Sequence, residues 1–413
     1  MARRSPRAPT LPGMRLRHLS VLLVALGCAL SSMSVPGASA APGFGSSGGN
    51  PTVRVATFNA SLNRPSAGAL LTDLRSGVDP QARTIAQIVQ INRPDILLLN
   101  EFDYYPDQAA AKLFEQNYLA RSQRGAAPID YPYMFTAPVN TGVPTGRDLN
   151  GDGRSDGPDD AYGFGAFPGQ YGMVVLSKYP IDTARVRTFQ NFLWKDQPGN
   201  LIPRDYYGGS ADILRLSSKS HWDLPITIGR RTVHLLASHP TPPSFDGPED
   251  RNGRRNHDEI RLSADYIAGG SRADYIYDDS GRRGGLAPGS SFVMLGDQNS
   301  DPADGGPPGP GVGAINQVLA LPRVRDTLPT SRGAVADSAT AGQTGHRTPS
   351  KYFTADFSKP VPGNLRVDYV LPSRDLPVTG AQVFWPAPGE PGHELLPPTT
   401  SSDHRLVWVD LRP

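Results

Sequence analysis

Polar side chains of the kinds that bind metal ions or phosphate follow several short apolar runs in this chain. The runs are predicted strands, and each leads into such a residue: Val53–Phe58 into Asn59, Ile96–Leu99 into Glu101, Val233–Ala237 into His239, and Phe292–Leu295 into Asp297. Ser402-Asp403-His404 then precedes a last apolar run, Leu406–Leu411. Because the strands of one sheet bring the residues that follow them to one rim, these side chains are predicted to form an active site there.

Strand-like and helix-like segments alternate between these residues. Apolar residues recur at helical spacing in Gln81–Asn92 and in Asn256–Ile267, which predicts two helices. Further strands are predicted at Tyr171–Ser177, Leu224–Ile228 and Val233–Ala237, the last two as a hairpin across Gly229-Arg230. This alternation favours β-sheets covered by helices.

Residues 1–40 have the pattern of an export signal. Five arginines precede an apolar stretch at Leu19–Leu30 that is too short to span a bilayer, and Ala38-Ser39-Ala40 fits the small-residue rule for cleavage. We therefore expect a secreted protein whose mature chain starts near Ala41 with a short flexible segment, residues 41–50. Lipidation of Cys28 is the alternative, although Leu26 stands where a small residue is usual.

Removal of this leader changes the charge balance. Of the 41 Lys and Arg residues, five lie in residues 1–40, which leaves 36 basic against 39 acidic residues and a net charge of −3. No general basic field remains to attract nucleic acid. The only cysteine, Cys28, lies in the leader, so the mature chain would have no disulfide. Residues 51–413 are predicted to form one domain with its extra length in loops, namely a long insertion at 121–169 and shorter segments at 300–313, 329–350 and 385–402.

Seven short motifs occur in the order found in the endonuclease/exonuclease/phosphatase superfamily. They are Thr57-Phe58-Asn59, Asn100-Glu101, Gly172-Met173 leading to Leu176-Ser177-Lys178-Tyr179-Pro180-Ile181, Ser238-His239-Pro240, Gly296-Asp297-Gln298-Asn299, Val367-Asp368-Tyr369 and Ser402-Asp403-His404. Each motif alone is weak, but the ordered set resembles this superfamily over residues 53–411. The resemblance implies a DNase I-like fold, a four-layer α/β sandwich of two packed mixed β-sheets flanked by helices. It also implies a divalent-metal phosphoesterase site at one end.

The resemblance assigns metal and water roles to the strand-end residues. Glu101 is expected to bind Mg²⁺ or Mn²⁺, with Asp403 holding the metal or its waters and Asn59 holding the metal or a phosphate oxygen. Asp297 would orient or deprotonate the attacking water, and Asn299 would hold that water or a phosphate oxygen. Each of these residues also has a plain structural alternative as a turn or cap, or as a solvated strand end.

Two histidines complete the expected site. By resemblance, Asp368, on a strand predicted at Leu365–Leu371, fixes the tautomer of His404, which then acts as a general base or as a donor to the phosphoryl oxygens. His239 would donate to a non-bridging oxygen. In the DNase-like nucleases of this superfamily a carboxylate supports the second histidine, but Gln170-Tyr171-Gly172 at the matching place has no acid. This departure weakens the interpretation as a double-strand nuclease.

Four further residues are candidate substrate contacts. Tyr171 has a hydroxyl that could reach phosphate, or its ring could simply pack. Lys219 and His221 precede a predicted strand where the family often has a basic contact, although an exposed loop is the alternative. Arg251 could grip a second phosphate, or its acidic neighbours could neutralise it.

The insertion contains a separate pattern typical of a calcium loop. Its positions 1, 3, 5, 7, 9 and 12 are Asp148, Asn150, Asp152, Arg154 through its backbone, Asp156 and Asp159, and Gly153 occupies position 6. Asp159 replaces the usual bidentate Glu, and no flanking helices are evident. The pattern predicts a structural Ca²⁺, with a plain Asp/Gly turn cluster as the alternative.

Three functions therefore remain open. The first is a secreted Mg²⁺-dependent phosphodiesterase, acting as a monomer on nucleic acid or a lipid headgroup. The second is a phosphomonoesterase for a soluble organic phosphate such as an inositol phosphate. The third is a non-catalytic binding module, which the complete set of metal, base and phosphate residues argues against.

Overall fold

A computed structural model describes residues 52–305, 309–343 and 345–413, and its main body contains two β-sheets. The predicted export signal and the segment 41–50 lie outside the described residues. In the described part of the chain, no helix has both the length and the apolar character needed to cross a bilayer.

The first sheet has six strands in the order β12-β13-β1-β2-β4-β3. Their bounds are β1 Val53–Leu62, β2 Ile96–Phe102, β3 Tyr133–Phe135, β4 Met173–Ser177, β12 Val378–Val383 and β13 Val407–Leu411. β1 and β2 are parallel, and the other neighbours are antiparallel. The sheet is therefore mixed, and the ends of β1 and β2 point the same way.

The second sheet has five strands in the order β11-β8-β7-β6-β5. Their bounds are β5 Arg187–Thr188, β6 His221–Ile228, β7 Arg231–Ser238, β8 Ser291–Asp297 and β11 Asp368–Pro372. β7 and β8 are parallel, and β6 and β7 form the predicted hairpin across Gly229-Arg230. A separate pair, β9 Ala355–Asp356 and β10 Asn364–Leu365, is antiparallel.

Within the described residues, seven α-helices connect or cover these strands. They are α1 Ala69–Ser76, α2 Pro80–Asn92, α3 Ala109–Phe114, α4 Arg204–Tyr207, α5 Arg251–Ala268, α6 Asn316–Leu319 and α7 Arg332–Thr340. The side chain of Asp79 caps α2 by accepting the Ala82 backbone N–H at 2.8 Å, and Pro80 at the first helical position leaves no donor unpaired there.

Alternating residues of the central strands face two different cores. In β8, Val293 and Leu295 pack with residues of the first sheet, whereas Phe292 and Met294 pack with α5 and α6. The second sheet is thus covered on one face by the first sheet and on the other by helices. Because α1, α2 and α3 add their apolar faces to the first sheet, the layers are helix, sheet, sheet, helix. The expected four-layer sandwich is confirmed.

Several predicted segments differ from the observed elements. Helix α7 lies inside the predicted loop 329–350, and strand β12 was not predicted. Helix α5 starts five residues before the predicted Asn256. The predicted strand Leu365–Leu371 is interrupted, since β10 ends at Leu365 and β11 begins at Asp368.

Candidate active site

The strand ends that carry the predicted residues meet at one rim shared by both sheets. β1, β2, β7 and β8 end there, while the antiparallel strands β11 and β13 begin there. At this rim Asn100 Oδ1, from the first sheet, accepts the backbone N–H of Asp297, from the second, at 3.2 Å. The two sheets are therefore joined by hydrogen bonds next to the predicted site.

Asp297 lies at the centre of the cluster. Its Oδ2 is 3.4 Å from His239 Nε2 and 3.6 Å from His404 Nε2, and it accepts Asn59 Nδ2 at 3.1 Å. Its Oδ1 accepts the backbone N–H of Asn299 at 2.8 Å. Burial alone would raise the pKa of Asp297, but His404, His239 and Asn59 together lower it. The carboxylate is therefore ionised across the neutral range.

His404 lies between two carboxylates. Its Nδ1 donates to Asp368 Oδ2 at 2.9 Å, and the Thr354 hydroxyl donates to the same oxygen at 2.8 Å. Thr354 Oγ1 in turn accepts the backbone N–H of Asp368 at 3.0 Å. Burial lowers the pKa of His404, but the charges of Asp368 and Asp297 outweigh it and raise that pKa well above its usual value. His404 is therefore protonated at neutral pH, which suits a donor better than a general base.

Glu101 meets only neutral amide donors in the described residues. Asn59 Nδ2 donates to its Oε1 at 3.1 Å, and Asn63 Nδ2 donates to its Oε2 at 2.8 Å. The Asn59 amide oxygen accepts the backbone N–H of Ser61 at 3.2 Å and so points away from Glu101. The Asn59 nitrogen therefore bridges Glu101 and Asp297, and a role for Asn59 at the metal stays a prediction. Asn63 is a site residue that the sequence motifs did not reveal.

Four non-glycine residues at this rim have an unfavourable backbone conformation. Ser61, Glu101, Tyr171 and Asn299 all have positive φ between 49° and 55°, a region that non-glycine residues seldom adopt. Such outliers often mark functional sites, because the surrounding structure must hold them in place. Gly296 has φ 136°, and a Cβ there would lie 2.0 Å from Ser238 O, so only glycine lets β7 and β8 approach at this point.

Lys219 and His239 are buried basic groups on the second-sheet side. Lys219 is 7% exposed; its backbone carbonyl accepts the Asn140 N–H at 2.9 Å, but its ammonium group has no hydrogen-bond or ion-pair partner among the described residues. Burial lowers the pKa of Lys219, although Glu259, Glu101 and Asp297 oppose the shift. Burial and the charge of Lys219 lower the pKa of His239. The ammonium group of a lysine in this position could bind an anionic oxygen of a substrate.

No carboxylate of the described residues accepts a hydrogen bond from His239 Nδ1, in line with the acid missing from residues 170–172. His239 Nδ1 is buried and has no hydrogen-bond partner within the described part of the chain. Tyr171, at the matching place, is half-buried, and its backbone N–H donates to Asp103 Oδ1 at 3.1 Å. Asp103 also accepts the backbone N–H of Arg64 at 2.9 Å, and burial raises the pKa of Asp103 to about 7. Asp103 therefore supports Tyr171 rather than His239.

Two predicted substrate contacts have other partners. His221 is buried, with Nδ1 2.6 Å from Ser217 Oγ and Nε2 3.1 Å from Glu259 O, so neither ring nitrogen is free for phosphate. Its predicted role is therefore wrong. Arg251 pairs with Glu249 and lies over the Tyr206 ring at 5.2 Å. The alternative of neutralisation by an acidic neighbour is the one observed for Arg251.

The remaining strand-end residues are placed as follows. Asn299 Nδ2 donates to Pro240 O at 3.1 Å, so this side chain joins the ends of β8 and β7. Asp403 is half-buried, and none of the described residues donates to its carboxylate. Its backbone carbonyl accepts the Asp356 N–H at 2.7 Å, which fixes the segment before His404.

The predicted calcium loop is an exposed turn cluster with many internal hydrogen bonds. Asp148 accepts the backbone N–H of Gly151 and Gly153 at 2.7 and 2.9 Å, and Asp156 pairs with Arg154. The buried acid of the segment is Asp160, outside the predicted set. Calcium binding stays a prediction.

The donor set at the rim fits a hard divalent cation at Glu101. Ligand atoms of Asp297, Asp368 and His404 also lie within 4.8 Å of one another, the one such group among the described residues. However, His404 Nδ1 and Thr354 already occupy Asp368 Oδ2, and a protonated histidine is not a metal ligand. Glu101 has only weak amide donors and Asp403 has none, so these oxygens are the ones free to bind Mg²⁺ or Mn²⁺.

This chain is similar to a known protein family and to several solved structures. A search of curated proteins found no match. Similar solved structures include an endonuclease/exonuclease/phosphatase from Beutenbergia cavernae DSM 12333, with 18% identity, 87% of this chain and 71% of that chain covered, and a TM-score of 0.47. The 3'-5' exonuclease NExo from Neisseria meningitidis is 13% identical, with 87% of this chain and 100% of that chain covered and a TM-score of 0.43. Beta toxin from Staphylococcus aureus with bound magnesium ions is 13% identical, with 87% of this chain and 99% of that chain covered and a TM-score of 0.41. The sequence profile of the Endonuclease/Exonuclease/phosphatase family matches residues 56–404, so this chain belongs to that family, whose members hydrolyse phosphoesters.

Proposed function

We propose that this protein is an exported, divalent-metal-dependent phosphoesterase that hydrolyses phosphodiester bonds by attack of water. The observation that carries the proposal is the position of Asp297 Oδ2, 3.4 Å from His239 Nε2 and 3.6 Å from His404 Nε2. An ionised carboxylate beside two imidazoles can hold a water molecule where both rings can donate to phosphoryl oxygens.

The metal would bind on the first-sheet side of the rim. Glu101 is the proposed direct ligand, and Asp403 is the proposed second carboxylate for the metal or its waters. When bound, the cation would neutralise charge on the phosphoryl oxygens and on the leaving oxygen.

The residues on the second-sheet side would handle the water and the phosphate. Asp297 would accept the proton of the attacking water at Oδ2 as the new P–O bond forms and the P–O bond to the leaving oxygen breaks; the leaving alkoxide would then take a proton from water. His404, held protonated by Asp368, would donate its Nε2–H to a phosphoryl oxygen. His239 would donate from Nε2, and the ammonium group of Lys219 would offset a second negative oxygen.

A substrate panel on residues 41–413 tests the reaction. It compares bis-p-nitrophenyl phosphate, plasmid and single-stranded DNA and sphingomyelin with the monoesters p-nitrophenyl phosphate and phytate, in Mg²⁺, Mn²⁺ or EDTA. We expect metal-dependent turnover of a diester. Faster turnover of the monoesters would favour the phosphomonoesterase alternative, and no turnover of any phosphoester would overturn the proposal.

Export rests on residues 1–40 and has its own test. Mass spectrometry of the protein from culture medium should find an N-terminus near Ala41. A cell-retained chain that still carries residues 1–40, or one lipidated at Cys28, would contradict secretion in this form.

A further inference from the structure

We infer that Asn256 and Glu259 of helix α5 are positioning residues that hold the ends of three catalytic strands in register. This inference rests on the proposed phosphoesterase function. The two residues are three positions apart, so they lie on one face of α5, and both are fully buried. Neither touches the place where a substrate would react, and no sequence motif pointed to them.

Glu259 joins the segments that carry the two basic groups of the site. Its Oε1 accepts the backbone N–H of Ser218, and its Oε2 accepts that of Thr241, both at 2.6 Å. Ser218 directly precedes Lys219, and Thr241 follows His239 by two residues. Hydrogen bonds from backbone N–H groups to a buried carboxylate are short and strong, so Glu259 fixes the spacing between these two segments.

Asn256 extends the connection to the third strand end. Its Nδ2 donates to Thr241 O at 2.8 Å and to Gln298 O at 3.0 Å. Gln298 lies between the predicted site residues Asp297 and Asn299. The first turns of α5 therefore connect the segment before β6 with the ends of β7 and β8.

These bonds replace partners that the sheet cannot supply. Backbone groups beyond the last ladder pair of a strand must find another donor or acceptor when they are buried, as those of Ser218 and Thr241 are. Because Ser218 N and Thr241 N share one carboxylate, a change at Glu259 would move Lys219 and His239 relative to Asp297. A displacement of about 1 Å in a catalytic group can lower the rate about 100-fold.

Asp258 provides a matched comparison within the same helix. It is also fully buried, and its Oδ2 accepts Trp194 Nε1 and the backbone N–H of Leu201, both at 2.7 Å. Asp258 is thus a second buried carboxylate of α5 that accepts a backbone N–H, with its Oδ1 also beside His257 and Arg261, but it anchors a segment that carries none of the proposed catalytic residues. Loss of a buried carboxylate can therefore be separated from loss of positioning.

The test compares Glu259→Gln with Asp258→Asn, both assayed with Mg²⁺ and bis-p-nitrophenyl phosphate at a temperature where circular dichroism shows each variant folded. Glutamine keeps one acceptor oxygen and turns an NH₂ group toward the other backbone N–H. We expect kcat to fall about 100-fold in Glu259→Gln and to stay within about twofold of wild type in Asp258→Asn. Equal kcat in the two variants would overturn the inference.

Two further measurements keep the inference testable. If Glu259→Gln does not fold, Asn256→Ala should lower kcat in the same way by removing the donor to Thr241 O and Gln298 O. Amide hydrogen exchange at Ser218 and Thr241 should be at least about tenfold faster in Glu259→Gln, because these N–H groups lose their acceptor. Unchanged exchange there would contradict the inference. An inactive wild type would instead contradict the proposed function.

Discussion

His404 Nδ1 lies 2.9 Å from Asp368 Oδ2, and this pair is buried directly beside the carboxylate of Asp297. In the pairing of β11 with β8, Asp368 lies opposite Asp297, so strand register brings the two carboxylates together, and His404, from the segment before β13, lies beside both. Such an arrangement keeps the ring protonated and aligned, which is what a donor to a phosphoryl oxygen requires.

Asp368→Asn should lower kcat by about 100-fold or more, because the amide removes the charge that keeps His404 protonated. Thr354 can still donate to the new amide oxygen, so the fold should be retained. Steady-state kinetics with a diester substrate measures the effect. Asp212→Asn, an exposed aspartate paired with Arg204, serves as the control and should be fully active. Full activity in Asp368→Asn would remove the pair from the mechanism.

Glu101→Gln should weaken metal activation while sparing stability. Loss of one ligand charge is expected to raise the Mg²⁺ concentration for half-maximal activity at least about tenfold. Thermal melting in EDTA should change little, because the amide oxygen keeps one of the two asparagine donors and residue 101 is only partly buried, so water can serve the other. Glu394→Gln, away from the rim, is the matched control. An unchanged Mg²⁺ requirement would show that the metal binds elsewhere.

Lys219→Met should lower activity without lowering stability. Burial of an ammonium group with no hydrogen-bond or ion-pair partner among the described residues is unfavourable, so a neutral side chain of similar length should leave the melting temperature equal or higher. Loss of the charge near the phosphate should lower kcat/KM at least about tenfold. Lys351→Met, at an exposed position, is the control. A normal kcat/KM together with a lower melting temperature would make Lys219 purely structural.

The stability that His404 supplies should decline as pH rises. Its folded pKa lies above the usual value of 6.5, so the contribution is complete below about pH 6.5 and is lost through the folded pKa. Urea unfolding in EDTA should therefore show a larger difference between wild type and His404→Gln at pH 6 than at pH 10. Each unit of raised pKa corresponds to about 1.4 kcal/mol. A constant difference would mean that His404 is not protonated in the folded protein.

The sequence predicted the catalytic rim better than the side-chain contacts within it. Glu101, Asp297 and His239 each follow a continuous apolar run, which is typical of a strand buried on both faces. Such strands are easily recognised, so it could be predicted that the residues at their ends lie close together. His221 could not be placed in the same way. Its neighbour Trp222 faces the core between the sheets, so alternation along β6 turns His221 toward α5 and away from phosphate.

Other features depend on partners that are distant in sequence. Asn59 was expected to bind a metal or a phosphate. Its amide nitrogen donates hydrogen bonds to Glu101 and Asp297, and the motif alone does not show these contacts. Helix α7 was missed because it buries small residues, Gly333 and Ala334, with Gly333 against Trp385. Such a helix has little hydrophobic periodicity, so its helical state depends on tertiary packing.

The most direct test of the central claim is metal-dependent hydrolysis of bis-p-nitrophenyl phosphate by wild type, His404→Ala and His393→Ala. His393 is a half-buried histidine outside the rim, with its Nδ1 at Pro386 O. We predict that wild type and His393→Ala turn over the diester with Mg²⁺ and not with EDTA. His404→Ala should lose at least about 100-fold in kcat. Equal turnover by all three proteins would contradict the assignment of this rim as the active site.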